Sequence, residues 1–356
     1  MQPKNECKLR TLQAGRAIAA ILVVLGHCSR EIFFLPKYWG LKPFGRALDF
    51  GHSGVEFFFV LSGFIIFHVH QQDLDMPERL SRFLRKRWLR VYPIYYIVFA
   101  GMLAAFFAHP AWGKGHERQM TTILSSIALV KFWPVDPVLP VAWTLFHEVK
   151  FYCAFGLAIV SVRIGTAMAA ALVAGTVFQL VYGSLAFPLD FLLSPFNLLF
   201  ALGALAAQIY NKHNTPVPWA CLLAGMALFG ATAVEEIIFT RLTDDVRSLL
   251  YGFGSALCIL GAAELERTDR MRVWRGLTLL GDASYSIYLT HFPLLSLLAK
   301  VFLASGLNTS IPPSLSFIIM VVLVVLMGLA THLVIERPLL AFFRRRLLPP
   351  GARSAA

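Results

Sequence analysis

Leu12-Gln-Ala-Gly-Arg16-Ala-Ile-Ala-Ala-Ile-Leu-Val-Val-Leu-Gly-His27 is an apolar run with one arginine near its start and one histidine at its end. An ionisable side chain inside a membrane span is costly, so it marks a functional-site hypothesis. Arg16 and His27 stand eleven residues apart. On a helix that spacing puts them within about 20° of one face and about 16 Å apart along the axis. A snorkelling arginine or a headgroup-level histidine explains either residue alone. Both on one stripe favour a functional reading.

Working outward, similar apolar stretches recur near 12–30, 53–70, 91–108, 142–162, 164–182, 194–210, 219–239, 248–265, 281–303 and 313–335. Each approaches the roughly 20 residues a spanning helix needs. The stretch 121–133 is shorter and ends in Phe132, Trp133 and Pro134, which reads as interfacial or re-entrant. The expectation is an all-α, polytopic integral membrane protein of about ten helices. It forms a single domain over 1–346 with a short cytoplasmic tail at 347–356.

Composition agrees. Of 356 residues, 57% are hydrophobic and 15% charged, well below the one-quarter charged residues usual in soluble domains. The net charge of +12 lies in short clusters between apolar runs, with no basic and aromatic groove for nucleic acid. Arg79, Arg82, Arg85, Lys86, Arg87 and Arg90 follow span two, Arg267 to Arg275 follow span eight, and Arg337 and Arg344 to Arg346 follow span ten. With both termini in the cytoplasm these clusters fall inside, as the positive-inside rule favours. Arg30, Lys37, Lys42 and Arg46 in the first outer loop run against the trend. Lys4, Lys8 and Arg10 before an apolar run imitate a signal peptide. Arg16 and the lack of a small-residue cleavage site make it a retained first helix. The five cysteines, Cys7, Cys28, Cys153, Cys221 and Cys258, are scattered and read as small hydrophobes rather than a disulfide or metal framework.

Several polar stripes carry potential chemistry. Arg87 and Arg90 are helix neighbours able to grip a phosphate together, although a positive-inside loop on anionic lipid explains the charge equally. Thr144, Glu148 and Tyr152 share a face in span four. Under the ten-span topology Glu148 lies at the depth of His27, a candidate partner. Lys150 points away from Glu148, and His147 reads as an interfacial bystander. Ser284, Tyr288 and His291 form a third stripe, as fitting for a packing seam as for a site. Glu235 and Glu236 stand as rim residues or sugar-binding carboxylates. No GxSxG elbow, P-loop, GxGxxG or metal-ligand cluster is present.

Six segments together resemble the acyltransferase 3 family of integral membrane acyltransferases. They are residues 12–27 above; Gly54-Val-Glu56-Phe-Phe-Phe-Val-Leu-Ser62-Gly63-Phe64; Arg85-Lys-Arg87-Trp-Leu-Arg90-Val-Tyr92-Pro93; Trp143-Thr-Leu-Phe-His-Glu148-Val-Lys-Phe151-Tyr152; Gly281-Asp-Ala-Ser284-Tyr285-Ser-Ile-Tyr288-Leu-Thr-His291; and Glu336-Arg337-Pro338. Their order matches the family's, and they run from residue 12 to residue 338. Leu139-Pro140-Val141-Ala142-Trp143-Thr144-Leu145 looks most like the family's exopolysaccharide O-acetyltransferases of succinoglycan type. Glu56 replaces a more usual Asp, and Lys150 a more usual apolar residue.

The resemblance implies a multi-pass protein of the bacterial inner membrane. It implies O-acyl transfer from cytoplasmic acyl-CoA, acetyl-CoA foremost, to a hydroxyl of an exopolysaccharide, another surface glycan or a lipid-linked precursor, without a metal. It also implies roles: His27 catalytic and Glu148 supporting it, and Arg16, Arg87 and Arg90 serving the acyl donor. Trp143, Tyr152, Ser284, Tyr288 and His291 stand beside them as candidates for substrate binding or structural support. His27 serves as general base or as nucleophile, with Glu148 orienting its imidazole as in a triad. A transporter or flippase of a lipid-linked sugar, without acyl transfer, is the competing class.

Overall fold

The computed structural model describes residues 9–347. Lys4, Cys7, Lys8 and all but the first residue of the expected 347–356 tail lie outside the described residues. The helices are α1 (Arg10–His27), α2 (Gly54–His70), α3 (Leu80–Ala108), α4 (Met120–Ala128), α5 (Trp143–Val160), α6 (Val162–Tyr182), α7 (Leu189–Leu192) and α8 (Phe196–Lys212). They continue with α9 (Pro218–Val234), α10 (Asp244–Arg267), α11 (Arg275–Asp282), α12 (Ser284–Ala304), α13 (Leu307–Ser310), α14 (Pro313–Thr331) and α15 (Arg337–Leu347). There is no strand among the described residues.

Each of the ten apolar stretches falls on a helix, and nine of the described helical segments are long and apolar enough to cross a membrane. Helix α5, eighteen residues long, is not among the nine. His147, Glu148 and Lys150 interrupt its apolar character. A helical, polytopic membrane fold leaves no backbone group facing lipid unpaired, which is why the chain takes this form.

Two apolar cores meet along α1 and α12. The larger joins α2, α3, α5 and α8 through buried residues such as Phe59, Phe64, Tyr95 and Phe200. The smaller packs α1 and α12 against α14 through Val24, Ile287, Phe317 and Met320. Both helices supply residues to both cores, so side chains along their shared line lie at the centre of the protein. Helices α2 and α8 touch backbone to backbone: a Cβ on Gly203 would lie 1.9 Å from the Val60 carbonyl oxygen. Only glycine permits that approach.

The stretch 121–133 forms no full span. Helix α4 is nine residues long, and its last carbonyls are met by a ladder of tyrosines on α3. The hydroxyls of Tyr95, Tyr96 and Tyr92 donate to the carbonyls of Ser126, Ile127 and Ala128 at 2.8, 3.0 and 3.0 Å. Carbonyls at a helix end need such partners away from water. Tyr92 is sixteen residues before the end of α3, about 24 Å along it. The connection from α3 to α5 is therefore drawn deep into the protein, and α5 starts below the surface.

Three π-helical segments, Cys28–Phe33, Glu235–Phe239 and His332–Glu336, interrupt the regular helices. Such bulges re-aim side chains and often sit at functional sites. Here they adjoin or contain His27, Glu236 and Glu336.

Candidate active site

A narrow cavity of about 140 Å³ lies between α1, α2, α3, α5 and α12. Its wall gathers Arg16, Arg87, Arg90, Glu148, Tyr152, Ser284 and Tyr288, seven residues from four separate stretches of the sequence. Arg16 Nε donates to Ser284 Oγ at 3.1 Å, tying α1 to α12.

The two arginines of α3 are held by different clamps. Arg87 Nη2 donates to His70 Nε2 at 2.8 Å. With Nε2 accepting, the His70 proton sits on Nδ1, which donates to Asp73 Oδ2 at 2.7 Å. Arg79 Nη1 donates to the other Asp73 oxygen at 2.8 Å. The Arg87 guanidinium also lies over the rings of Phe83 and Tyr152, 5.5 and 5.9 Å from their centroids. Arg90 Nη1 is 3.8 Å from Glu336 Oε1, and its guanidinium lies 5.5 Å from the Tyr285 ring centroid. Glu336 is only 1% exposed and its second oxygen accepts from Ser286 and His332 at 2.6 and 2.7 Å. His70 and Asp73 carry no sequence signal beyond a polar helix end. Glu336 was visible as part of the Glu-Arg-Pro segment, without a partner.

Glu148 corrects the expectation of a His27 partner. Its carboxylate accepts a hydrogen bond from Tyr152 Oη, and Ser62 Oγ approaches it at 3.5 Å. The His27 nitrogen that a triad carboxylate would take is instead occupied, since Nδ1 donates to Val23 O at 2.9 Å. The cause is the depth of α5. Its entry is drawn inward by the tyrosine ladder, so Glu148 lies beside the arginines rather than level with His27. Thr144 and Tyr152 share the cavity face with Glu148, as the spacing predicts.

His27 does not line this cavity. Tyr288 closes its far end, with Tyr288 Oη bonded to Thr144 Oγ1 at 2.9 Å and donating to Val141 O at 3.1 Å. Behind Tyr288, the His291 ring lies 5.6 Å away and the His27 ring a further 4.9 Å beyond, edge to face. His291 Nδ1 bonds Tyr288 O at 2.5 Å, and its buried Nε2 has no partner. Both imidazoles thus carry their proton on Nδ1, bonded within their own helix, and keep a lone pair on Nε2. That is the form a general base requires. The stripe from Ser284 to His291 divides accordingly: Ser284 and Tyr288 face the cavity and His291 meets His27.

Other expectations shift. Trp143 lines no described cavity and packs against Phe196 at 5.3 Å between ring centroids. His147 is buried among Phe59, Phe191 and Phe196 instead of lying at the interface. Lys150 caps α7, donating to Phe191 O and Leu192 O at 2.8 and 3.3 Å. Cys28 is buried as expected, whereas Cys153 is exposed and Cys221 and Cys258 are half-buried.

Beyond His27, on the opposite end of α1 from Arg16, lies a second and larger cavity of about 810 Å³. His52 sits at its inner edge, with Nε2 3.0 Å from Glu236 Oε1 and Nδ1 3.5 Å from Glu56 Oε1.

Known proteins resemble this chain in sequence. A family model described as an acyltransferase domain matches residues 9–333. The chain belongs to that family. It is accordingly a membrane acyltransferase, and the transporter reading gives way. The exopolysaccharide production protein ExoZ of Rhizobium meliloti is 30% identical over 339 residues, covering 88% of this chain and 96% of that protein. The peptidoglycan O-acetyltransferase OatA of Listeria monocytogenes is 28% identical over 110 residues, covering 30% of this acyltransferase and 16% of that protein. No solved structure gives a significant match to the acyltransferase.

Proposed function

We propose that this acyltransferase moves an acetyl group from acetyl-CoA, bound from the arginine side, to a hydroxyl of a surface polysaccharide or its lipid-linked precursor. The relative named for exopolysaccharide production and the one named a peptidoglycan O-acetyltransferase support a polysaccharide acceptor. The observation that carries the reading is the line of contacts from Arg16, Arg87 and Arg90, along the cavity, to Tyr288, His291 and His27. CoA is a polyanion barred from lipid, while its acyl-bearing arm is slim and uncharged. The three arginines supply charge-assisted contacts to its phosphates. The arm then runs up the cavity, where Tyr288 must part from Thr144 for the thioester to reach His27.

His27 Nε2 takes the proton of the acceptor hydroxyl as its oxygen attacks the thioester carbonyl. The carbon–sulfur bond breaks, the acetyl group passes to oxygen, and CoA leaves as thiolate to be protonated. Glu148 with Tyr152 lines the arm's path and offsets the arginine charge instead of orienting His27. The arginines then face the cytoplasm and the larger cavity faces outward across the inner membrane, with both termini inside.

Purified protein supplied with labelled acetyl-CoA and a polysaccharide fragment should transfer label, and His27→Ala should lower transfer at least a thousandfold while membrane insertion is kept. Near-normal transfer by His27→Ala removes the imidazole from the chemistry. Absence of acetyl-CoA binding by the wild type removes the donor.

A further inference from the structure

The larger cavity has a composition that a general polar opening does not explain. Six carboxylates line it, Glu31, Asp49, Glu56, Glu236, Asp244 and Asp245, against four arginine and lysine side chains, with His52 set between Glu56 and Glu236. Three of those cations are already engaged. Lys42 donates to both Asp49 oxygens at 2.6 and 2.9 Å. Arg46 reaches Asp49 at 3.6 Å and donates to the Glu236 carbonyl at 2.7 Å. Arg247 pairs with Asp244. The cavity therefore offers hydrogen-bond acceptors in excess and little free positive charge.

At its inner edge the acceptors are buried and built in. Glu236 is 6% exposed and accepts from Tyr251 Oη at 2.8 Å in addition to its His52 contact. Glu56, also 6% exposed, accepts from Ser248 Oγ at 3.1 Å through one oxygen only. Its second oxygen, Oε2, is buried and has no partner. A buried carboxylate oxygen left unpaired is expensive, and a bound donor relieves the cost. The turn that carries His52 is pressed on the end of α1, where a Cβ on Gly51 would meet Gly26 Cα at 2.8 Å. That contact sets the cluster beside His27. Phe34 also lines the cavity, its ring 56% exposed with Lys42 Nζ 5.3 Å from its centroid.

Resting on the acyl-transfer reading, we infer that this cavity is the acceptor subsite and that it takes an uncharged, hydroxyl-rich glycosyl unit in preference to an acidic one. Sugar hydroxyls donate to the free Glu56 oxygen and to Glu236, and the apolar C–H face of the ring lies on Phe34. A uronate or other anionic sugar meets the surplus of carboxylates and finds three of the four arginine and lysine counter-charges occupied. Selection against acidic sugars thus comes from repulsion as much as from fit.

The test uses the full-length protein in lipid nanodiscs with methyl β-glucopyranoside and methyl β-glucuronide as probes. Binding is read by saturation-transfer NMR, and acetyl transfer from labelled acetyl-CoA is read alongside. The glucoside should bind at least tenfold more tightly than the glucuronide. Glu56→Gln, which turns the free oxygen into a donor, should weaken glucoside binding at least tenfold. Ser248→Ala should weaken it several-fold, and it decides the matter if Glu56→Gln fails to fold by size exclusion. Equal or tighter binding of the glucuronide, no binding of the glucoside, or unchanged binding in both variants overturns the inference. Glucoside binding that shows these shifts without label transfer by the wild type upholds the subsite and sinks the acyl-transfer reading instead.

Discussion

The two cavities at the ends of α1 are built on opposite principles. At the Arg16 end the space is narrow, about 140 Å³, and its two α3 arginines are steered by partners that lie outside it: His70 with Asp73 behind Arg87, and Glu336 behind Arg90. At the His27 end the space is about 810 Å³, three of its four arginine and lysine side chains are spent on its own carboxylates, and a buried Glu56 oxygen is left unpaired. In the proposed function, one end takes a chain-like ligand with an anionic head and the other a bulky donor of hydroxyl hydrogens. Between them stand Tyr288, His291 and His27, a barrier three rings thick. On the proposed acyl transfer, the division keeps donor and acceptor apart by charge before catalysis brings them together.

The sharpest way to break that division is at the arginines. A hydrogen bond to a charged group contributes roughly 1.5–3 kcal/mol, so Arg87→Ala or Arg90→Ala should each raise the KM for acetyl-CoA about 10- to 100-fold. The double variant should all but abolish turnover at millimolar donor. Added salt should weaken donor binding in the wild type more than in either variant. A variant whose acceptor KM moves instead, with donor KM constant, breaks the assignment of the narrow cavity.

Much of this arrangement is readable from residue order, and the unreadable part has a physical cause. Helix number, the Arg16–His27 stripe and the face shared by Thr144, Glu148 and Tyr152 depend on periodicity within single helices, which a sequence carries directly. The partner of Glu148 does not. It depends on how deep α5 begins, and that depth is set by hydrogen bonds from Tyr92, Tyr95 and Tyr96 to carbonyls about thirty residues away. Helix periodicity gives a direction around an axis and says nothing of such a vertical offset. The His52–Glu236 and Ser248–Glu56 contacts join residues 184 and 192 positions apart. Three π segments also shift the helical phase near His27, Glu236 and Glu336, which the 3.6-residue repeat does not anticipate.

A subtler probe addresses the clamps. His70 touches the cavity only through Arg87, so it is a positioning residue. His70→Ala leaves the Arg87 guanidinium in place and removes one of its supports, so it should raise the KM for acetyl-CoA about 5- to 10-fold, near the roughly 1 kcal/mol of a typical hydrogen bond, and change kcat less than twofold. His70→Gln, whose carbonyl can accept from Arg87, should recover part of the loss. Equal loss in the two variants, confined to expression level, reduces His70 to a structural role.

The smallest effect asked of the comparison is an absence of coupling. Arg87 and Ser248 line different cavities, on opposite sides of the Tyr288–His27 barrier. Substitutions this far apart, sharing no partner, usually combine additively to within about 0.5 kcal/mol. Arg87→Ala with Ser248→Ala should therefore lower kcat/KM by the product of the single effects, within about twofold. The reasoning runs through Tyr288. If acyl entry only displaces its hydroxyl from Thr144, the acceptor cavity is untouched and the product rule holds. If that displacement also shifts His291 and His27, and with them the turn bearing His52, donor binding reshapes the acceptor site. A departure from the product of fivefold or more would then appear, and the barrier between the cavities would be a moving part rather than a wall.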